Sequence, residues 1–187
     1  GDGQEWVDTE VLRRLRRRSL AALRRDVEAV DPSTLAGFLP AWHGLHERRH
    51  GTDALLSAVR RLQGLAIPAS VIERDVLAAR APSNPAALDE LLASGDVVWL
   101  GRGPLGTKDG KIALYLRDQL PLLHWPIPAE PPEGPLHDRI RAHLENRGAS
   151  FFRDLFVAAE GGDPTAVLDA LWDLVWAGEV TNDSLAP

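Results

Sequence analysis

Residues 85–117 read PAALDELLASGDVVWLGRGPLGTKDGKIALYLR, and this stretch decides the fold. PAALDELLAS is expected to be a helix, because Asn84-Pro85 supplies a polar cap with a first-turn proline and Gly95 follows its last residue. DVVWLG and KIALYLR have the composition of strands. GPLGTKDG lies between them and is rich in turn residues. The stretch therefore predicts a helix followed by a β-hairpin.

Two further helices are expected directly upstream of this stretch. Residues 53–63, DALLSAVRRLQ, have amphipathic helical spacing. Pro68 then starts a second helical segment, PASVIERDVLAA. Three short helices followed by a β-hairpin are typical of the winged-helix variant of the helix-turn-helix. The sequence therefore predicts a first winged-helix module at residues 41–120.

Residues 136–187 repeat the same plan. LHDRIRAHLENRG and SFFRDLFVAAEG predict two helices, and Asp163-Pro164 caps a third, TAVLDALWDLVWAG. EVTND predicts the start of a strand, so we expect a second winged-helix module with a truncated wing. Residues 121–135, PLLHWPIPAEPPEGP, hold six prolines and predict an extended, stiff linker between the modules.

Residues 1–40 are predicted to form an arginine-rich helix and a connector. The helix is expected from about Asp8 to Val30 and to end at Asp31-Pro32, because proline disfavours helix in the residue before it. A short helix in STLAGFLPAW follows. The fold class predicted for the whole chain is mainly α with small β-hairpins, in tandem winged-helix modules preceded by this helix.

The segment VLRRLRRRSLAALRR, residues 11–25, is strongly basic. It contributes +7 to a formal net charge of −6, which leaves −13 for the other 172 residues. At 100° per residue one side of this segment is a stripe of apolar and small residues, namely Leu12, Leu15, Ser19, Ala22 and Leu23. The arginines on the two flanks of the opposite arc are Arg13, Arg17 and Arg24, and Arg14, Arg18 and Arg25.

Three interpretations of this basic arc remain open. Arginine suits bidentate contacts to phosphate, so the arc could bind nucleic acid. It could instead pair with the acidic residues that dominate the rest of the chain, or it could be a solvated face.

Second-rank candidates for phosphate contacts lie in two loops. Arg48 and Arg49 follow two histidines in HGLHERRHGT, and Arg102, Lys108 and Lys111 lie in and beside the hairpin loop. Both loops could equally be ordinary polar surface. The third helices of the two modules carry acids and no cations, which argues against reading of base edges.

Aromatic residues and carboxylates add weaker candidates. Trp99, Trp172 and Trp176 are expected to pack in the core or between modules, and Trp42 could either stack a base or pack. No catalytic residue is predicted: the carboxylates considered for base excision, Asp53, Glu73 and Asp75, have no spacing that marks a site. No metal site is predicted, because HGLHERRH lacks the His-Glu-x-x-His order.

Several absences limit the function further. There is no cysteine, hence no thiolate zinc site or cysteine nucleophile, and neither lysine lies in a P-loop. No signal peptide or membrane-length apolar run is visible, so a cytoplasmic location is expected. The chain starts without methionine and stops abruptly, so we expect a segment of something larger.

A family resemblance covers nearly the whole chain in order. Its pieces are EWVDTEVLRRLRRRSLAALRRDVEAV, FLPAWHG, LLSAVRRLQGLAIPASVIERDVLAAR, LDELLASGDVVWLG, FFRDL and ALWDLVWAGEVTNDSLAP. They closely resemble successive pieces of the bacterial Lhr (large helicase-related) proteins. The resemblance implies part of the region after the helicase core, where tandem winged-helix modules are similar to AlkZ-type DNA glycosylases.

The resemblance also implies a function for the parent and for this segment. The parent would be an ATP-dependent 3′-to-5′ DNA translocase in DNA repair that uses ATP and Mg²⁺, whereas this segment would hold no cofactor. We expect an accessory DNA-binding and scaffolding segment, whose partners are single-stranded or duplex DNA and the remainder of the Lhr chain. A module for protein interaction or homo-oligomerisation is the alternative, and a glycosylase-like module is the third possibility.

Overall fold

The computed structural model describes residues 8–25, 27, 29–46, 49–82, 86–107, 109–124 and 130–185. The chain divides into two units, one up to Pro40 and one from Ala41 onward. Its described part is mostly helical with one small antiparallel sheet, so the predicted fold class is confirmed. None of the described helices is long and apolar enough to span a membrane.

The first unit contains two helices, each started by an aspartate. Helix α1 is Thr9–Arg25, and the Asp8 carboxylate accepts the backbone N–H of Glu10 at 2.8 Å. Helix α2 is Pro32–Trp42, and Asp31 accepts the backbone N–H and hydroxyl of Ser33. Hydrogen bonds from Ser33 and Thr34 lower the pKa of Asp31 to about 2.

The expected end of the arginine-rich helix was wrong. Helix α1 ends at Arg25, well before Val30, and Asp31-Pro32 begins α2 instead of ending α1. The physical reason is that an aspartate cap followed by a proline in the first turn is a helix start.

The second unit begins with the predicted winged helix, and its three helices and hairpin are confirmed. A short strand, β1, adds a third member to the sheet, whose order is β1-β3-β2. The elements in chain order are α3 Thr52–Leu62, β1 Ile67–Pro68, α4 Ala69–Val71 continued by the π-helical segment Ile72–Leu77, α5 Ala86–Ser94, β2 Val97–Leu105 and β3 Asp109–Leu116.

The two faces of this sheet are both buried. The helices cover one face, where Leu55, Ile72 and Leu88 pack with Trp99 and Leu114. On the other face Leu100, Ala113 and the fully buried Tyr115 form a smaller cluster. Leu120 packs on this cluster from a short helix, α6 Leu120–Leu123. The first part of the predicted extended linker is therefore helical, and residues 125–129 lie outside the described part.

Three more helices form a second core. They are α7 Pro135–Arg147, α8 Phe152–Ala158 and α9 Pro164–Trp176. Ile140 of α7, Leu155 of α8 and Leu174 of α9 are buried together. Asp163 caps α9 by accepting the backbone N–H of Thr165 at 2.9 Å, as the sequence predicts.

Helix α9 contributes to both cores. Val175, next to Leu174, packs in the first core, and the stacked rings of Trp172 and Trp176, 5.2 Å apart, join it. The predicted packing role of the patterned tryptophans is therefore confirmed. The sheet accepts α9 at two glycines, since a Cβ on Gly101 would lie 1.9 Å from the Val175 carbonyl oxygen and one on Gly110 would lie 2.3 Å from the Trp176 ring.

The segment after α9 does not form the predicted strand. Residues 180–185 contain no strand, and side-chain hydrogen bonds fasten them to the first module instead. The Thr181 hydroxyl donates to the Trp99 carbonyl oxygen, and the Trp99 indole N–H donates to the Ser184 carbonyl oxygen at 3.0 Å. Each of these bonds uses a side chain, so neither is part of a backbone ladder between strands.

Candidate nucleic-acid interface

Helix α1 has no buried residue, and all its arginines are exposed. The structure gives α1 one ion pair among the described residues, between an Arg14 Nη and a Glu10 Oε at 3.5 Å, with about three quarters of each side chain exposed. Arg25 donates back to the Ala21 carbonyl oxygen of its own helix. An exposed pair of this kind is worth little energy, so it holds Arg14 only weakly.

The loop after α2 lies in the second unit. Its Arg49 is exposed, and Arg48 lies outside the described residues. His50 Nδ1 lies 3.0 Å from the Pro82 carbonyl oxygen, which ties the loop to the segment before α5. The candidate Arg49 is thus presented from a loop that is anchored at its end.

Two exposed arginines on α3 were not among the predicted site residues. Arg60 and Arg61 lie on the outward side of α3, and their guanidinium groups have no ion pair or hydrogen bond within the described ranges. A Cβ on Gly44 would lie 3.0 Å from an Arg61 Nη, so Arg61 sits beside the loop that carries the predicted arginines. The signal that could have found them is their place on the polar arc of DALLSAVRRLQ.

The hairpin separates its predicted cations. Lys111 is exposed on β3 opposite Pro68 of β1, and Lys108 lies outside the described residues. Arg102 instead turns onto the sheet, where its guanidinium donates to the Tyr115 hydroxyl and lies 5.8 Å from the ring centroid. This contact gives Arg102 a packing role, because it covers a buried aromatic ring with a cation.

The root of the hairpin is fastened to α4 by Asp109. The Ser70 hydroxyl donates to this carboxylate at 2.7 Å, and that bond lowers the pKa of Asp109. The hairpin loop therefore projects from a fixed base.

Neither third helix offers cations for reading bases. The exposed side of α5 carries Asp89 and Glu90. The last turn of α9 packs on the sheet of the first module. A reading helix needs exposed donors such as arginine, asparagine or glutamine, so this geometry argues against base-edge recognition.

The carboxylates considered for base excision do not converge on one site. Asp53 is exposed on α3, and Asp75 is paired with Arg74 at 2.7 Å. The pKa of Glu73 is raised by partial burial and by the nearby charge of Asp89. Trp42, the candidate for base stacking, is more than half exposed.

Comparisons with known proteins place this architecture in a family. The family model described as "Large helicase-related protein, winged-helix domain" matches residues 30–117. A relative in Mycolicibacterium smegmatis (strain ATCC 700084 / mc(2)155), named "Lhr helicase/ probable uracil glycosylase", is 44% identical over 190 residues, covering 99% of this chain and 12% of the relative. A relative in Escherichia coli (strain K12), named "Lhr helicase/uracil glycosylase", is 35% identical over 207 residues, covering 97% and 13%.

These matches run across nearly the whole chain, and the chain spans about an eighth of the length of either relative. The winged helix that the family model describes coincides with the helices, sheet and hairpin of the first module. The chain belongs to the large helicase-related (Lhr) protein family, with a winged-helix domain at residues 30–117.

Proposed function

We propose that this chain is an accessory nucleic-acid-binding segment of an Lhr-type helicase, and that α1 supplies its main phosphate contacts. One observation carries the proposal: α1 holds seven arginines and one glutamate, and every arginine is exposed. A polyanion such as DNA would replace water around these guanidinium groups and release its own counterions, which favours binding.

The arrangement of the arginines is suited to contacts with the phosphate backbone of a nucleic acid and not to recognition of a base sequence. Arg13, Arg17 and Arg24 follow one line along α1, and Arg14, Arg18 and Arg25 follow a second line about 100° around the helix. Two lines of forked donors can each follow a run of phosphates. Contacts to phosphates carry no sequence information, so they predict binding that does not depend on base sequence.

Exposed cations of the second unit would supply phosphate contacts of their own. Arg49, Lys111, Arg60 and Arg61 are the described candidates there. Arg48 and Lys108 complete the predicted set by sequence. Arg102 is a weaker candidate, since its guanidinium already contacts Tyr115.

The names of the relatives support a role for the whole protein. Both are named as helicases, so we propose a parent that translocates on DNA with ATP and Mg²⁺, works in DNA repair and resides in the cytoplasm. This chain contains no P-loop, so the ATP-driven motor would be contributed by another part of the parent.

A salt titration of DNA binding tests the proposal. The affinity for a labelled oligothymidylate should fall steeply with salt, and replacing Arg13, Arg17 and Arg24 with alanine should flatten the log–log slope by about 2. The same three positions changed to lysine should keep the slope, because charge and helix propensity are retained. Equal slopes for the alanine and wild-type chains would refute the role of α1.

An interaction module is the second candidate, and the packing of α9 favours it. In this chain an apolar third helix serves as a contact to another module. If the chain sediments as an oligomer and shows no salt-sensitive DNA binding, this function replaces the first.

The names of the relatives also bring base excision into consideration, with Glu73 as the carboxylate whose pKa is raised. Such an activity predicts strand cleavage at uracil after alkali treatment, and loss of that cleavage in Glu73→Gln. Intact uracil-containing DNA after incubation with the chain would exclude the activity for this segment.

A further inference from the structure

A second surface of the chain exposes an aromatic ring that packs on no other ring of the described residues. Phe151 lies between α7 and α8 and is 84% exposed, and the next residue, Phe152, is 40% exposed. Phe152 packs on Phe156 with ring centroids 6.4 Å apart, which holds it at the edge of α8. Phe151 has no such neighbour among the described residues.

The backbone that carries Phe151 is well fixed. Gly148 ends α7 with a positive φ of 74°, and its N–H donates to the Leu144 carbonyl oxygen at 2.8 Å. Ser150 bridges the turn through hydrogen bonds to His143 and to the Gly148 carbonyl oxygen, each 3.1 Å long. The exposure of Phe151 is therefore a property of an ordered turn.

Two cations flank the aromatic pair. Arg147 is the last residue of α7 and Arg153 lies in the first turn of α8. Both are exposed, and neither guanidinium group has an ion pair or hydrogen bond with another described residue. The exposed acids nearest in sequence are Glu145 and Asp154, and their carboxylates have no partner among the described residues either. The local charge is therefore balanced, and affinity must come partly from the rings.

We propose that the turn from Arg147 to Arg153 binds single-stranded nucleic acid, with a base stacked on Phe151 and phosphates held by Arg147 and Arg153. Aromatic rings flanked by arginines are the components of single-strand sites that do not read sequence. The inference rests on the proposal that this chain binds nucleic acid, but it uses a surface of the second unit that lacks the arginine helix.

The size and shape of the surface favour a nucleic acid over a protein partner. Its exposed apolar residues are Phe151, Phe152 and Val157, which together offer roughly a few hundred Å². A stable protein interface needs about 800 Å² from each partner. One ring is enough to stack one base, and a Cβ at Gly148 would meet nothing within 4 Å, so the turn is open to a ligand.

The geometry also favours a single strand over a duplex. Bases of a duplex are already stacked on each other, so an exposed phenyl ring gains a stacking partner only where a base is free. The site should therefore prefer oligothymidylate to a duplex of the same length.

The test is binding of a fluorescein-labelled oligothymidylate about 15 nucleotides long, within the site sizes of single-strand binders. Phe151→Ala should weaken binding about tenfold with an unchanged salt slope, and Phe151→Trp should retain it. Leu122→Ala is the matched control, since the Leu122 side chain is also 84% exposed but lies on α6, outside this turn. Ultraviolet crosslinking should attach the oligonucleotide to the peptide that contains Phe151.

The outcomes separate this site from the arginine helix. Loss of salt sensitivity on changing the α1 arginines, with the Phe151 crosslink retained, would leave both proposals standing. A crosslink at Phe151 with a salt slope indifferent to the α1 arginines would support this site alone. If Phe151→Ala binds within twofold of the wild-type chain and no crosslink forms, the site is refuted. A change in sedimentation of that variant would then assign the turn to a protein partner.

Discussion

Helices α1 and α9 both have an apolar side, yet they end in opposite environments. No residue of α1 is buried, whereas α9 contributes Leu174 and Val175 to two different cores. The difference lies in what the rest of the chain offers. Helix α9 can approach the sheet closely because Gly101 and Gly110 have no side chains there. The seven arginines of α1, in contrast, would each need a hydrogen-bonding or charged partner if they were buried away from water. An apolar stripe thus shows which side of a helix can pack, and the opposing surface decides whether it does.

The largest expected effect breaks the α9 contact at its tightest point. Gly101→Ala would place a Cβ 1.9 Å from the Val175 carbonyl oxygen, and relief requires moving backbone. We expect the free energy of unfolding, measured with urea, to fall by about 3 kcal/mol.

The matched substitution in the first unit is Gly37→Ala on α2. No heavy atom lies within 4 Å of the new Cβ, and alanine favours helix over glycine by about 1 kcal/mol. It should leave the unfolding of the second unit unchanged. If Gly101→Ala also leaves the free energy of unfolding unchanged, then α9 does not pack closely against β2.

A second comparison removes one leucine from each helix. Leu174 is fully buried, so Leu174→Ala should cost about 3 kcal/mol of unfolding free energy. Leu15 on α1 is about half exposed, so Leu15→Ala should change it by less than about 0.5 kcal/mol. Similar losses from both would show that the apolar side of α1 is packed in solution.

The pH dependence of the second unit should come partly from Glu179. Arg141 donates to its two carboxylate oxygens at 2.6 and 3.0 Å, which lowers the pKa of Glu179. A lowered folded pKa means that the stabilisation is complete above the unfolded value, about 4.3, and is lost as the pH falls through the folded value. Since both side chains are partly solvated, Glu179→Gln should cost only about 1 kcal/mol at neutral pH.

Urea unfolding at neutral pH and in acid checks this expectation. The difference between wild type and Glu179→Gln should shrink as the solution is acidified. Glu145→Gln serves as the control, because the Glu145 carboxylate has no partner among the described residues. A gap that stays constant with pH would mean that the ion pair with Arg141 is not formed.

In the first unit, acid should weaken the Asp31 cap of α2. Asp31 has a pKa of about 2, so its stabilisation of α2 is lost as the pH falls from about 4 toward that value. Circular dichroism should show a loss of helix that Asp31→Ala already shows at neutral pH. Global unfolding of the second unit should not follow it.

The smallest effect is expected at the ion pair of α1. Glu10→Ala removes the partner of Arg14 from an exposed site, so stability should change by less than about 0.5 kcal/mol. The affinity for an oligothymidylate should rise slightly, because α1 loses its one acid. Weaker DNA binding would indicate that Glu10 orients Arg14 and does not compete for it.

The sequence predicted the elements that carry strong local signals. The helices and hairpin of the first module follow from amphipathic spacing and turn residues, and the cap at Asp163 lies where expected. The predicted cap at Asn84-Pro85 lies outside the described residues. The expected end of α1 failed because Asp31-Pro32 can stop one helix or start the next, and local rules favour both. Strand β1 escaped prediction because it is two residues long and contains a proline.

The candidate site was less predictable from residue type alone. Arg102 and Lys111 belong to the same hairpin, but only the fold places the Arg102 guanidinium over Tyr115. Arg61 lies beside the loop at Gly44, a neighbourhood that residue type alone does not predict for Arg60 or Arg61. The Thr181 hydroxyl donates a hydrogen bond to the backbone of Trp99, and no pattern in EVTND predicts this long-range contact.

Because α9 packs in both cores, the proline-rich segment between the modules is not a boundary between independently folding domains. If the chain were cut there, the sheet surface at Gly101 and Gly110 would lose its contact with α9. The indole rings of Trp172 and Trp176 would in turn become exposed to solvent. Gene duplication or recombination should therefore transfer the two modules only together. Residues on the two sides of the α9 contact should likewise change together in evolution.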